Sequence, residues 1–158
     1  MRKTRRTLAV VVLTAAIGII SVSPAGATEV GNTQGCTPGY WKNHPQSWLE
    51  QPTDTTPVYT PATPLSTISP AFNTYLPGAT FGSALQGGGG PGLTGAATIL
   101  ARAATASWLN ATVEIAFPYQ RGTLTTLVTN ALQSGNRATI LSLATTLDRA
   151  NNLGCPLS

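Results

Sequence analysis

Charged residues are scarce in this chain: nine Lys or Arg and five Asp or Glu in 158 residues. Four of the nine cations, Arg2, Lys3, Arg5 and Arg6, crowd into the first six positions. From Thr28 onward, Lys42, Arg102, Arg121, Arg137 and Arg149 stand against Glu29, Glu50, Asp54, Glu114 and Asp148, a net charge of zero. Displacing counterions from nucleic acid takes several clustered cations, so nucleic acid is excluded as a partner. The same count excludes steering to an anionic membrane surface. Histidine and cysteine are as rare. His44 is the only histidine, and Cys36 and Cys155 are the only cysteines. A zinc site needs three or four such ligands, and calcium needs clustered oxygens that these scattered acids do not form. No metal and no cofactor are expected. Neither Gly-x-Ser-x-Gly nor His-Glu-x-x-His occurs, so no catalytic residue is assigned. Runs of alternating β-branched residues are also missing, which argues against a sheet.

The one long apolar run lies at the start. Leu8 to Ile20 spans 13 residues, short of the roughly 20 that a membrane-crossing helix requires. A basic head precedes it, and Ala25-Gly26-Ala27 follows as a small-residue cleavage site. This is the pattern of a secretory signal peptide over 1–27. Its removal leaves a single domain of 131 residues, 28–158, large enough for a modest core. The expected location is outside the cell, secreted or at the cell surface, with no membrane contact after cleavage. Two cysteines in an exported chain predict one disulfide, Cys36–Cys155, closing a loop of 119 residues.

The body divides in two. Its N-terminal half is rich in proline, threonine and glycine. Residues 52–64 carry Pro52, Pro57, Pro61 and Pro64 among threonines and read as extended loop. Short helices are predicted at Tyr40 to Asn43, Pro45 to Glu50, Pro70 to Leu76 (capped by Ser69) and Phe81 to Gln86 (capped by Thr80). Residues 87–92 are a glycine-rich loop. It ends in Gly92-Leu93-Thr94 without the lysine of a phosphate loop, so the bland reading is backbone that passes closely or needs positive φ. Three helical patterns follow. Ala96, Ile99, Leu100, Ala103 and Ala104 make one face over 94–110. Leu124, Leu127, Val128, Ala131 and Leu132 make a second, with Thr123 as its cap and a stop near Gly135. Ile140, Leu141, Ala144, Leu147 and Ala150 make a third, capped by Asn136. The short link between the last two predicts antiparallel neighbours. The fold class is therefore all-α: a small disulfide-closed helical domain with a C-terminal three-helix core.

Candidate site residues gather in one stretch, Gly35 to Pro45 with Trp48 behind it. Tyr40, Trp41, Lys42, Asn43, His44 and Trp48 place aromatic faces beside hydrogen-bonding groups, a combination suited to stacking on a sugar or a peptide. The competing reading is that these tryptophans are core, as they usually are in a domain with few large residues. Asn110-Ala111-Thr112 is a formal glycosylation sequon. The bacterial look of the composition argues against its use.

Three ordered motifs resemble the signatures of a secreted bacterial module: Cys36-Thr37-Pro38-Gly39-Tyr40-Trp41-Lys42-Asn43-His44-Pro45, the glycine run ahead of Leu93-Thr94-Gly95-Ala96-Ala97, and Ala150-Asn151-Asn152-Leu153-Gly154-Cys155-Pro156. The resemblance covers about Gly35 to Leu157. It implies an extracellular or cell-surface module of a kind often attached to larger surface proteins, and it implies no activity. This chain is expected to stand alone, unlike that pattern. The function expected is a non-enzymatic structural or adhesive module binding cell-wall polysaccharide, another glycan or an extracellular protein through Tyr40–Trp48. The alternatives are a small secreted hydrolase using His44 with a carboxylate, and an inhibitor or effector of another protein. Oligomeric state is not legible.

Overall fold

The computed structural model describes residues 32–49, 56–113 and 115–157. The expected leader over 1–27, the first part of the 52–64 loop, and Glu29, Glu50, Asp54 and Glu114 lie outside the described residues. Among those described the fold is all-α, with no strand and five helices. They are α1 (Pro38–Asn43), α2 (Phe81–Leu85), α3 (Gly92–Asn110), α4 (Arg121–Gln133) and α5 (Arg137–Asn151). Three short 3₁₀ turns, Pro45–Ser47, Leu65–Thr67 and Pro70–Thr74, lie between α1 and α2.

The C-terminal core is α3, α4 and α5. Helix α3 is its axis, buried along most of its length from Gly95 to Asn110. Its alanines, Ala96, Ala97, Ala101, Ala103, Ala104 and Ala106, are all buried. Small side chains let neighbouring backbones come close, and α5 takes that place, packing far more on α3 than on α4. The short link at Ser134–Asn136 therefore does not decide the main partner of α5. Asn136 does cap it, with its Oδ1 accepting from the amides of Ala138 and Thr139 at 2.9 and 3.1 Å.

Four local expectations need correction. Helix α4 begins at Arg121 after Gln120, so Thr123 is inside the helix and caps nothing. The predicted helix over Pro45 to Glu50 is a single 3₁₀ turn over Pro45–Ser47, and Pro70 to Leu76 is likewise 3₁₀ over Pro70–Thr74. Both turns start on a proline and are too short for a run of i to i+4 bonds. Ile99 lies off the buried stripe and is 36% exposed. The caps at Ser69 and Thr80 hold. Ser69 Oγ accepts from the Ala71 amide, and Thr80 and Ser83 form a reciprocal capping box.

The N-terminal half lies over this core by burying its few large side chains. Trp41, Trp48, Phe72 and Phe81 are at most 1% exposed. Each such side chain contributes roughly 1.5–3 kcal/mol of transfer free energy. Tyr75 ties the 3₁₀ region to α4 by donating to the Leu132 carbonyl at 3.0 Å, and the Ser69 and Thr129 hydroxyls bond at 2.7 Å. The Cys36–Cys155 disulfide closes the body, and the Gly35 amide donates to the Gly154 carbonyl beside it. Gly35 is required there, since a Cβ would run into the Ala150 carbonyl.

Candidate functional site

The opening motif is built on α1. Thr37 Oγ1 accepts from the Tyr40 amide at 3.1 Å, and Pro38 occupies the first turn, where its missing donor costs nothing. At His44 the backbone leaves helical geometry, with φ −128° and ψ 57°. Trp41 and Trp48 therefore do not align as two turns of one helix. They meet another way: Trp48 Nε1 donates to the Trp41 carbonyl at 3.0 Å across the break.

Beneath the motif is a buried polar network that sequence reasoning missed. Asn110, at the end of α3, uses all of its hydrogen-bonding capacity. Its Oδ1 accepts from the Cys36 amide at 2.8 Å and from Trp41 Nε1 at 3.1 Å. Its Nδ2 donates to the Cys36 carbonyl and to Asn151 Oδ1, both at 2.9 Å. Asn151, at the end of α5, also accepts from Ser107 Oγ at 3.0 Å and donates to the Ala103 carbonyl at 3.0 Å. Ser107, Asn110 and Asn151 are all 0% exposed. Asn110 thus grips the backbone of the disulfide-bonded Cys36 on both its donor and its acceptor side, and Asn151 braces Asn110 from behind. The sequon at Asn110 is closed for the same reason: its amide nitrogen is buried and fully bonded.

A signal for this network existed. Ala96, Leu100, Ala103, Ser107 and Asn110 run in steps of four and three, as do Ile140, Ala144, Leu147 and Asn151. Both buried stripes turn polar at the same end, the end where Cys36 docks. A polar residue on an apolar stripe must find partners inside the protein.

The six candidate residues fall into two groups. Trp41 and Trp48, at 0% and 1% exposure, belong to the core and present no face to a ligand in this structure. Tyr40 and His44 are half-buried, and Lys42 and Asn43 are exposed. The Tyr40 and His44 rings stack at 4.3 Å with 17° between their planes, one helical turn apart. Tyr40 also stands edge-on to Trp41 at 5.1 Å, and its hydroxyl donates to the Leu157 carbonyl at 3.1 Å. His44 Nδ1 lies 2.8 Å from the Tyr40 carbonyl. A carbonyl only accepts, so Nδ1 carries the hydrogen and Nε2 is the acceptor of the neutral ring. Among the described residues, no carboxylate or hydroxyl bonds to the His44 ring, and no group of three metal-ligating side chains exists.

Comparison with known protein families, with curated proteins and with solved structures finds no match to this chain.

Proposed function

We propose that this chain is an exported, non-enzymatic module that binds a cell-wall polysaccharide or another extracellular glycan. Its contact surface is Tyr40, Lys42, Asn43 and His44, without the two tryptophans. The observation that carries the reading is the stacked Tyr40–His44 pair on α1 with Lys42 and Asn43 exposed beside it. Partly exposed rings suit the apolar face of a sugar, and the ammonium, the amide and the imidazole supply donors and an acceptor for its hydroxyls. Because Trp41 hangs from Asn110 and the disulfide sits two residues before α1, the surface is held on a rigid base. Rigid presentation lowers the ordering cost of binding.

The hydrolase alternative has less support. The Nδ1 partner of His44 is a backbone carbonyl, not the carboxylate that orients and supports the histidine of a hydrolytic triad.

The test is retention on insoluble polysaccharides and bacterial cell walls. The unaltered protein is expected to be retained, and the Lys42→Ala and His44→Ala variants are expected to be lost to the wash while keeping their melting temperatures within a few degrees. Absence of retention for the unaltered protein, or equal retention of both variants, would overturn the reading.

A further inference from the structure

We infer a second binding site, for a small zwitterion such as a free α-amino acid, in the cleft between α3 and α5 beneath the glycine-rich loop. The inference is independent of the surface on α1. The cleft has a volume of about 220 Å³, with Arg102 of α3 on one wall, Asp148 of α5 on the other, and Ile99, Ala103 and Ala144 between them. At about 30 Å³ per water, that is room for roughly seven waters or one compact organic molecule.

Three observations point to a ligand of this kind. Asp148 is the only carboxylate side chain among the described residues. It shares a cleft with an arginine yet forms no ion pair with it, and the Arg102 guanidinium makes no hydrogen bond among the described residues. In a chain with so little charge, two opposite charges on facing walls define a dipolar site. The cation would take a carboxylate, and the anion an ammonium.

The lid of this cleft is built for closeness. The glycine loop runs back along α3, with Gly87 over Arg102, Gly88 over Thr98, Gly89 over Ile99 and Gly90 against Gly95. A Cβ at Gly95 would collide with the Gly90 carbonyl, and Gly87 and Gly88 have φ of 85° and 121°, where other residues are strained. Of these glycines, Gly88 lines the cleft itself. Among the described residues the main-chain groups of Gly88 and Gly89 have no hydrogen-bond partner. Gly88, which lines the cleft, offers its main-chain groups to a bound ligand's polar atoms. The apolar floor limits the ligand's body to a few carbons.

The test is an NMR titration of the isotope-labelled protein with glycine, alanine and β-alanine, against acetate and ethylammonium as single-charge controls. Saturable shifts are expected at the amides of Ile99, Ala103 and Ala144 with the zwitterions and not with the controls. Arg102→Gln and Asp148→Asn should each weaken binding roughly fivefold, the scale of one exposed charge pair. Both residues are exposed, so neither change should move the melting temperature appreciably. Three results would overturn the inference: no saturable shift with any zwitterion, equal shifts from the single-charge controls, or unchanged affinity in both variants.

Discussion

Replacing Asn110 with alanine removes four hydrogen bonds at once: those with the Cys36 amide, the Cys36 carbonyl, Trp41 Nε1 and Asn151 Oδ1. All four partners are left in a site from which solvent is excluded, with Cys36, Trp41 and Asn151 at 0% exposure. A net contribution of about 1 kcal/mol per bond makes the expected loss about 4 kcal/mol, a large share of a total stability of about 5–15 kcal/mol. In urea, with a slope of about 2 kcal/mol/M, the midpoint should fall by about 2 M. The assay is equilibrium unfolding of the oxidised protein followed by tryptophan fluorescence. Asn110→Asp keeps the shape but sets an oxygen against the Cys36 carbonyl and Asn151 Oδ1 and buries a charge, so it should cost more than alanine. Asn43→Ala, on the exposed side of the same motif, should stay within about 0.5 kcal/mol. A fall in midpoint of less than about 0.5 M for Asn110→Ala would mean that this network does not anchor the motif.

Two glycine substitutions should have opposite signs. Gly122, in α4, has open space where a Cβ would stand, so Gly122→Ala should stabilise by about 0.5–1 kcal/mol, whereas Gly95→Ala should destabilise by more than about 1 kcal/mol through its collision with the Gly90 carbonyl. Thermal unfolding of both variants checks this, and a stabilised Gly95→Ala would show that the loop moves aside freely. Reduction of Cys36–Cys155, which closes 119 residues, should cost about 4–5 kcal/mol on the chain-entropy account. A loss below about 1 kcal/mol in urea with and without reductant would contradict it. Asn136→Ala should cost about 1 kcal/mol as a lost helix cap, measured in the same way, and no change would mean that α5 frays at its start.

The helical core was legible because it repeats. The stripes of α3, α4 and α5 show a period near 3.6, and Ser69, Thr80 and Asn136 have short oxygen-bearing side chains where each helix or turn begins. Thr123 carries the same chemistry, yet the cap of α4 lies three residues earlier, where Gln120 takes the extended backbone of a cap without using its side chain. Composition marks a cap only where the backbone turns. The pairing of Cys36 with Cys155 followed from there being two cysteines. The opening motif was legible as a cluster of aromatic and polar residues but not as an arrangement. Trp41 and Tyr40 are neighbours of similar chemistry, and which one is buried is decided by Asn110, sixty-nine residues beyond Trp41. Such a long-range bond has no local signature beyond a polar residue on an apolar stripe. The glycine loop was legible as close-packed or strained backbone, and it is both. Its position over Arg102 and Ile99 depends on how the chain returns to α3, which no local pattern encodes.

The opening motif turns its tryptophans inward and leaves Tyr40 and His44 as its outer face. Iodide quenching of the native protein's tryptophan fluorescence tests this most directly, because iodide reaches only solvent-exposed indoles. With Trp41, Trp48 and Trp108 at 0%, 1% and 7% exposure, quenching should be close to absent until the protein is unfolded. Native emission quenched as strongly as that of the unfolded chain would contradict this and return the tryptophans to the proposed binding surface.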